Sequence, residues 1–507
     1  MGARTCESDL RWRPRRCATP LREDASVRAR RDRPYDLLVL GGGTAGLVSA
    51  QIAASLGARV ALVERDRTGG DCLWTGCVPS KSLLAAAHLA HAMRRAGDVG
   101  LAAVQPEVDF GAVMAHVHGA IATIEPHDSP ERLRSLGVEV VQADASFTAP
   151  RVVAAGGRRL RARAVIVATG ARPVLPPVPG LADAGALTSD TVWNLRELPS
   201  RLVVLGGGPI GCELAQAFAR LGAAVTLVEQ AGRLLDADEP EAAALVAASL
   251  RADGVDVRLG TRAVGVEAGE LMVAQDGAQQ RIAFDAIIAA TGRRPRTDDL
   301  GAAVAGIALD ERGAVTVDER LRTSAPHVYA AGDVTAQLPF THVAAHHARV
   351  ATINALLGTR RRVDTTIPWV TFTDPEVARV GLSAAQARER WGGRAVIQRI
   401  DYSEVDRAVA EGRPAGFALL VGDNRARLVG ATVAATAGGE AIAELTARIA
   451  HGDKIDAVST AVHAYPTFAE GPARAADEVL RRRYGAPPYR ALSRAALALG
   501  RLVPRAR

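Results

Sequence analysis

Two segments of the chain share one pattern: a short apolar run, a glycine-rich turn, an amphipathic stretch and a second apolar run. In the first segment, residues 36–40 form a continuous apolar run, which predicts a buried strand. Helical periodicity follows over residues 45–56, and the second apolar run, "RVALVE", ends at Glu64. The second segment, "RLVVLGGGPIGCELAQAFARLGAAVTLVEQ", repeats this order, with a strand predicted over residues 202–205 and Glu229 near its end. The pattern therefore predicts two strand–turn–helix–strand units.

Both units carry glycines in the spacing G-x-G-x-x-G directly after the first strand. The glycines are Gly41, Gly43 and Gly46 in the first unit, and Gly206, Gly208 and Gly211 in the second. Glycine lets the backbone approach a pyrophosphate, whose charge is stabilised by the helix N-terminus. Glu64 and Glu229 each lie 23 residues after the first glycine, near the position of the acid that binds a ribose hydroxyl. The units predict two different dinucleotides, or one dinucleotide and a decayed site; two units used only as scaffold are the remaining alternative.

Two of the five cysteines, Cys72 and Cys77, lie in the stretch "GGDCLWTGCVPSK" directly after the first unit. A zinc site would need four ligands, and the sequence nearby offers no second Cys or His pair at suitable spacing. A structural disulfide and a redox-active disulfide beside a bound cofactor are the other interpretations, and the glycine-rich, tightly bent setting favours the redox-active one. Lys81 follows Cys77 by four residues, and a nearby cation lowers the pKa of a thiol.

Length and charge limit the class of protein. A chain of 507 residues exceeds what one hydrophobic core usually supports, which predicts two to four domains. The net charge of +7 resides in the tails, because residues 1–34 carry +5 and residues 479–507 carry +8, so that the body between them is acidic. A nucleic-acid groove is therefore not expected. The N-terminus has no apolar h-region and no run is long enough for a spanning helix, so we expect a cytoplasmic protein.

Both basic tails are expected to be solvated or disordered. The C-terminal piece, "YRALSRAALALGRLVPRAR", could instead form a short basic amphipathic helix. Such a helix would contact a membrane surface weakly.

Across about residues 35–485 the sequence resembles the class I pyridine nucleotide–disulfide oxidoreductase family, the flavoprotein disulfide reductases. The resemblance rests on both glycine turns, on the cysteine stretch and on the blocks "VIVATGARP", "AATGRRP", "VYAAGDVT", "FTDPEVARVGLS" and "HAYPTFAEG". It implies an α/β fold with two Rossmann-like dinucleotide-binding domains, for FAD and NAD(P), plus a C-terminal α+β dimerisation domain. The implied boundaries are 35–175 and 293–365 for the FAD-binding domain, 176–292 for the NAD(P)-binding domain and 366–485 for the dimerisation domain, with basic tails at 1–34 and 486–507.

The resemblance also implies roles for individual residues. FAD would be bound by Gly41, Gly43, Gly46, Glu64, Gly70, Lys81, Gly170, Gly332 and Asp333, and the nicotinamide nucleotide by Gly206, Gly208, Gly211, Glu229 and Gly292. Cys77 would be the charge-transfer thiol against the isoalloxazine, and Cys72 the interchange thiol exposed to substrate. Lys81 would sit near flavin N5, paired with Glu213. No metal-ligand set is predicted.

Two positions bear on the cofactors. Family members usually have Thr where this chain has Asp71, beside the flavin. Glu229 would accept hydrogen bonds from the ribose 2′-OH of NAD and repel the 2′-phosphate of NADP, so NADH is favoured. Arg233 is close enough in sequence to oppose this preference.

The acceptor side departs from the thiol-handling members of the family. Their C-terminal motif reads His-x-His-Pro-Thr-x-x-Glu and reaches across a homodimer to the partner's cysteines, with the second His as the base. Here His463 matches the first His, Tyr465 stands at the base position and Glu470 matches the acid. A Tyr of ordinary pKa, about 10, is a poor base near neutral pH, so poor turnover of dithiols is expected.

We therefore expect an FAD-dependent NAD(P)H oxidoreductase with a redox-active disulfide, acting as a homodimer with shared active sites. Its acceptor would be small, a metal ion, a quinone or another electrophile, as in a mercuric-reductase-like member. A C-terminal cysteine pair of the kind that mercuric reductase uses is missing, since the last cysteine is Cys212. The alternatives are a dihydrolipoamide dehydrogenase and, from another class, a non-catalytic flavin-binding interaction protein.

Overall fold

The structure, a computed structural model, describes residues 33–502. The prediction of a disordered N-terminal tail therefore falls almost entirely on residues outside the described part of the chain. One seven-stranded sheet and two five-stranded sheets organise the described residues.

The first glycine-rich unit builds the seven-stranded sheet. Its elements are β1 (Tyr35–Leu40), α1 (Thr44–Ser55), β2 (Val60–Glu64), α2 (Gly70–Trp74), α3 (Cys77–Arg94), α4 (Phe110–Asp128), α5 (Pro130–Ser135), β3 (Glu139–Gln142), β4 (Ala145–Ala149), β5 (Val152–Ala155), β6 (Arg158–Val167) and β7 (Ala171–Pro173). The strand order is β3–β2–β1–β6–β5–β4, with β1, β2, β3 and the second half of β6 parallel. The continuous apolar run of β1 suits this position, because both faces of a parallel sheet are covered.

The second glycine-rich unit repeats the arrangement as a separate five-stranded parallel sheet. Its elements are β8 (Leu187–Thr188), β9 (Arg201–Leu205), α6 (Pro209–Leu221), β10 (Ala224–Val228), α7 (Pro240–Ala252), β11 (Asp256–Arg258), β12 (Arg262–Glu267), β13 (Glu270–Gln275), β14 (Ala278–Ala283) and β15 (Ala286–Ala289). The strand order is β11–β10–β9–β15–β8, and β12, β13 and β14 form a small antiparallel sheet. The strands predicted at the start of the two units agree with β1 and β9 to within one residue.

The chain then returns to the first sheet. The returning elements are β16 (Arg293–Pro295), α8 (Ala302–Ala305), β17 (Val328–Ala330) and α9 (Thr341–Leu357). β17 pairs in parallel with β6, and α9 packs on α1 through small buried residues that include Ala50, Ala344 and Ala348. This return places Asp333 and the first residue of α9, Thr341, beside the first glycine turn.

The C-terminal part is an antiparallel sheet covered by helices. Its elements are β18 (Pro368–Thr371), β19 (Glu376–Gly381), α10 (Ala384–Trp391), β20 (Val396–Asp401), α11 (Asp406–Ala410), β21 (Phe417–Gly422), β22 (Leu428–Ala435), α12 (Gly438–His451), α13 (Ile455–Thr460), α14 (Glu470–Gly485) and α15 (Pro487–Leu502). The strand order is β18–β19–β22–β21–β20. One mixed sheet with a parallel core, one parallel sheet and this antiparallel sheet agree with the predicted fold class. The exact domain boundaries stay predictions.

The C-terminal tail, predicted to be solvated or disordered, is solvent-exposed but not disordered over most of its length, because its residues form the helix α15. Alanine, leucine and arginine dominate the helix, and these residues favour helix. Leu492 and Leu499, seven residues apart on one face, are 67% and 65% exposed, so the alternative prediction of a basic amphipathic helix describes the segment. No helix within residues 33–502 is long and apolar enough to cross a membrane.

Candidate active site

A cavity of about 1420 Å³ opens beside the first sheet, α3 and the segment that joins β17 to α9. Its wall contains the first glycine turn, both Cys72 and Cys77, Lys81 and Asp333. Gly70, Gly170 and Gly332, which the resemblance assigns to the flavin, line the same cavity. Pockets that bind a drug-sized ligand measure roughly 300–1,000 Å³, so this cavity is large enough for a dinucleotide.

The first glycine turn leaves no room for a side chain where the chain crosses the sheet. Gly41 has φ +105°, and a Cβ there would lie 2.3 Å from the carbonyl oxygen of Ala168. The carboxylate of Glu64 closes the turn, because its Oε2 accepts from the Gly42 amide at 2.6 Å. Backbone amides at the start of α1 therefore face the cavity, and an acid stands at the end of β2, as a dinucleotide requires.

The second glycine turn has nearly the same geometry. Gly206 has φ +106°, and a Cβ there would lie 2.5 Å from the carbonyl oxygen of Ala290. Glu229 Oε2 accepts from the Gly207 amide at 2.6 Å, just as Glu64 does in the first turn. The two turns therefore repeat each other in their hydrogen bonds as well as in their sequence. The other glycines assigned to the nicotinamide nucleotide lie around the second turn: Gly208, Gly211 and Gly292.

The two cysteines lie on consecutive helices at the cavity wall. Cys72 is in the short helix α2, and Cys77 is the first residue of α3. The intervening turn is held by Trp193, whose Nε1 donates to the carbonyl oxygen of Thr75 at 2.9 Å. Both cysteines are free thiols, and Cys77 Sγ lies 3.2 Å from the hydroxyl oxygen of Thr341 at the start of α9.

The negative charge of the pair resides on Cys77. A hydrogen bond from the Cys72 thiol is the largest cause that lowers the pKa of Cys77, to about 6, and the Thr341 hydroxyl and the Lys81 ammonium lower it further, against burial. The same hydrogen bond, together with burial, raises the pKa of Cys72. The N-terminus of α3 also favours an anion at Cys77. Near neutral pH the site therefore holds a thiolate beside a protonated thiol.

Lys81 is held next to this thiolate by residues from other elements. Its Nζ donates to Glu213 Oε2 at 2.8 Å, and Glu213 is buried in α6 of the second unit. Glu213 Oε1 accepts from the Phe372 amide at 2.9 Å, and the Lys81 ammonium lies 4.3 Å from the centre of the Phe372 ring. The implied pairing of Lys81 with Glu213 is thus present as a contact between the two units.

A charged cluster lines the cavity next to Cys72. Asp71 forms an ion pair with Arg293, and the other guanidinium nitrogen of Arg293 lies 3.9 Å from Asp190 Oδ1. Arg296 lies 3.7 Å from Asp190 Oδ2. Burial raises the pKa of both Asp71 and Asp333, and Arg293 opposes the rise in each case.

Tyr465 is fixed as a hydrogen-bond donor. Its hydroxyl donates to Asp406 Oδ2 at 2.7 Å, and this bond raises the pKa of Tyr465 above its ordinary value. Glu470 Oε1 accepts from Arg474 Nε at 2.7 Å, so the acid of the motif is held by an arginine of its own helix. A phenol with a raised pKa that already donates its proton to a carboxylate is not a base for a thiol.

The three residues of the C-terminal motif lie apart from the dithiol in a single chain. His463 Nε2 lies 2.7 Å from Glu444 Oε2, and Tyr465 is 69% exposed. Within the described residues, neither His463, Tyr465 nor Glu470 lines the cavity. One chain therefore brings together the cysteines, Lys81 and the flavin-site residues, but not the acceptor-side motif.

Three residues at the site were not found from the sequence. Thr341 reaches the dithiol through long-range packing, and no motif singles it out. Phe372 contacts the Lys81–Glu213 pair and lies in the block "FTDPEVARVGLS", which serves only to establish the resemblance. Arg293 lies in the block "AATGRRP", which was noted only as part of the resemblance. The acid at Asp71, a departure from the family pattern, was the available signal that a compensating cation is nearby.

Two family models match the chain. The model described as "Pyridine nucleotide-disulphide oxidoreductase" matches residues 35–348, and that of the corresponding dimerisation domain matches residues 367–476. The first match alone covers more than half of the chain. The protein belongs to the pyridine nucleotide–disulphide oxidoreductase family, a class of flavoenzymes that use FAD and NAD(P)H.

Individual relatives within the family carry different names. The chain is 38% identical to the dihydrolipoyl dehydrogenase of Thermus scotoductus over 453 residues, which cover 87% of this chain and 97% of that protein. It is 37% identical to a mercuric reductase of Streptomyces lividans, covering 86% and 94%. The HOCl-induced flavoprotein disulfide reductase RclA from Escherichia coli superposes with a TM-score of 0.78 at 29% identity, covering 87% and 99%, and its Cu(II) complex superposes similarly with a TM-score of 0.77.

We expect the Thr341→Val substitution to raise the pKa of Cys77, because it removes a hydroxyl that donates to the thiolate. A hydrogen bond to a charged group contributes about 1.5–3 kcal/mol, and partial exposure of Cys77 reduces this to a shift of about 0.5–1 pKa unit. The measurement is the pH dependence of iodoacetamide alkylation of Cys77 in the reduced protein. Thr341→Ser keeps the donor and should titrate as the wild type does; an unshifted Thr341→Val profile would show that the contact does not stabilise the charge.

Proposed function

We propose that this protein is an NADH-dependent, FAD-containing oxidoreductase that reduces a small non-thiol electrophile at the Cys72–Cys77 dithiol. The observation that carries the proposal is the state of Tyr465. At the position where thiol-handling members have a His base, the phenol donates its proton to Asp406. The dithiol is complete, whereas the group that would accept a proton from a thiol substrate is missing.

The dithiol is suited to giving electrons to an electrophile. Bound FAD supplies the two-electron exchange with the nicotinamide nucleotide and with the cysteine pair. Cys77 offers a nucleophilic sulfur, and Cys72 holds a proton beside it. When the pair gives two electrons to an acceptor, one S–S bond forms, the Cys72 S–H bond breaks and its proton passes to the acceptor or to solvent. No base on the protein is needed for this step.

Lys81 and Glu213 position the charge of the pair. The Lys81 ammonium stabilises the Cys77 thiolate, and Glu213 keeps that ammonium in place from the second unit. Because Glu213 lies in α6, directly after the second glycine turn, occupation of the second dinucleotide site and the charge at the dithiol share one structural element.

A soft metal ion is the acceptor class with the most support. Several relatives are named mercuric reductase, and RclA has been solved with Cu(II). Thiolates are soft ligands that bind such ions well. Among residues 33–502 no group of three or more His, Cys, Asp and Glu side chains could hold a metal ion, so the ion would meet the dithiol as a substrate. Quinones are the second class of electrophile that the dithiol would reduce without a base on the protein.

A dihydrolipoamide dehydrogenase is the alternative activity. The identity of 38% to a dihydrolipoyl dehydrogenase favours it. That reaction takes a proton from a substrate thiol, and Tyr465, which donates its own proton to Asp406, is not a base for it. Tyr465 therefore distinguishes the reduction of a small electrophile from the oxidation of dihydrolipoamide.

The dimerisation domain supports a homodimer. We propose that each acceptor site is completed by the partner, with Tyr465 and His463 facing the partner's dithiol. Neither residue lines the cavity of its own chain, and Tyr465 is largely exposed, as a residue that contributes to a second chain's site would be.

Contact of α15 with a membrane surface stays a prediction. Arg490 and Arg494 lie one turn apart on the helix, and Leu492 and Leu499 lie on a different face. The arrangement is typical of a helix that lies in a lipid interface.

We expect NADH to be preferred over NADPH by about tenfold or more in kcat/KM, because the Glu229 carboxylate would repel a 2′-phosphate. The carboxylate is fixed by the amides of Gly207 and Ala231, and Arg233 is engaged by Asp236 at 2.9 Å. Steady-state rates with each nucleotide give the ratio. Arg233→Ala is the matched control and should leave it unchanged; a preference for NADPH would contradict the assignment.

We expect Tyr465→His to raise dihydrolipoamide oxidation by about tenfold to a hundredfold. General-base catalysis typically contributes about 10²–10⁴ in rate, and we expect less than the full range because one oxygen of Glu470 already accepts from Arg474. The assay compares dihydrolipoamide with mercuric ion, Cu(II) and a quinone. Tyr465→Phe controls for loss of the Asp406 contact and should not gain dithiol turnover. Wild-type protein that turns over dihydrolipoamide as fast as the electrophiles would exclude the proposed acceptor class.

A further inference from the structure

Asp71 places a carboxylate next to the phosphate-binding turn of the first unit. A Cβ on its neighbour Gly70 would lie 2.5 Å from Gly43 Cα, so the backbone at Gly70 packs directly on the glycine turn. Asp71 is the next residue, and its side chain lines the same cavity. A dinucleotide bound at this turn brings its diphosphate, with about two negative charges, to the backbone amides beside Asp71.

The main counter-ion of Asp71 is shared with other groups. Arg293 pairs with Asp71, lies 3.9 Å from Asp190 Oδ1 and acts on Asp333 as well. It also donates to a carbonyl oxygen of β7. Arg296 and, through it, Arg65 bring the number of nearby cations level with the number of carboxylates. Asp71 is therefore compensated by a cation that it does not hold alone.

Cofactor binding makes an ionised Asp71 less favourable in two ways. It removes water from the Asp71 side chain, which is 40% exposed in the protein alone, and it adds negative charge nearby. If Arg293 turned towards the diphosphate, the carboxylate would lose its main counter-ion, and a buried unpaired carboxylate is strongly disfavoured. A neutral carboxylic acid instead gains a role, because its hydroxyl can donate to a phosphate oxygen.

We propose that Asp71 takes up a proton when FAD binds, so that this chain holds its flavin through a neutral acid, and that FAD retention therefore weakens as the pH rises. The protein's own groups act in the same direction, since burial raises the pKa of Asp71 despite Arg293. Retention is strongest below the pKa that Asp71 has without FAD, and it is lost progressively as the pH rises from that value to the pKa in the complex. Between the pKa values without and with FAD, affinity falls by up to tenfold per pH unit.

Other titratable groups face the same space and must be separated from Asp71. Cys72 and Cys77 are adjacent and are removed from titration when the protein is kept oxidised as the disulfide. Asp190, Asp333 and His342 line the cavity as well. They remain in every variant below, so a pH dependence that they cause would survive the change at Asp71.

The test measures the rate of FAD release from the oxidised holoenzyme after dilution, followed by the fluorescence of free flavin between about pH 5.5 and 8.5. We expect the wild-type rate to increase with pH, by up to tenfold per unit. Asp71→Asn and Asp71→Thr should release FAD at a nearly constant rate, slower than the wild type by about tenfold or more at the upper end. Asp98→Asn, at an exposed site outside the cavity wall, is the control and should follow the wild type.

Each other outcome overturns the proposal. A wild-type rate of FAD release that does not change with pH would mean that Arg293 alone compensates the negative charge of Asp71. Variant profiles parallel to the wild type would assign the proton to another group. Both variants have a neutral side chain at position 71, which is expected to retain FAD. Loss of flavin from both at all pH values would therefore show that FAD retention requires the charged form of Asp71. The release rate depends on no acceptor, so it is independent of whether the proposed acceptor class is correct.

Discussion

The charge on Cys77 is the feature on which the rest of the site depends. A thiolate in a cavity wall needs donors and cations, and this one receives them from several parts of the chain: Cys72 from the preceding helix, Thr341 from the returning segment and Lys81 from its own helix. Lys81 in turn is held by Glu213 of the second unit. The two dinucleotide units, which are separate sheets, are thus joined where the reactive sulfur is held.

Local sequence was sufficient to predict the elements that form the two units. The strands at residues 36–40 and 202–205, the glycine turns and the acids at Glu64 and Glu229 depend on short-range patterns and on backbone sterics, and the structure shows both turns with nearly equal φ values. Thr341, Phe372 and Arg293 depend instead on how distant segments pack, and a pattern within one segment carries no information about that. The C-terminal helix was misjudged for a related reason, since a strongly basic composition resembles a solvated tail even where the residues favour helix.

Departures from the family pattern gave the most specific information about this chain. Tyr465 stands where the family pattern has a basic His, and Asp71 stands where it has a neutral Thr. The structure supplies a partner for each new residue, Asp406 for Tyr465 and Arg293 for Asp71. The first change bears on what the dithiol can reduce, and the second on how the flavin is held. The second follows from the constraint that a buried charge must be compensated by its neighbours.

The central claim is that electrons leave through the cysteine pair, and differential alkylation tests it most directly. The protein is reduced anaerobically with NADH, treated with iodoacetamide, freed of reagent and assayed with each acceptor. The account predicts that NADH makes both Cys72 and Cys77 alkylatable, as read by mass spectrometry of the peptide that contains them, and that the alkylated protein no longer reduces any acceptor of the panel. Undiminished turnover with both sulfurs blocked would contradict it.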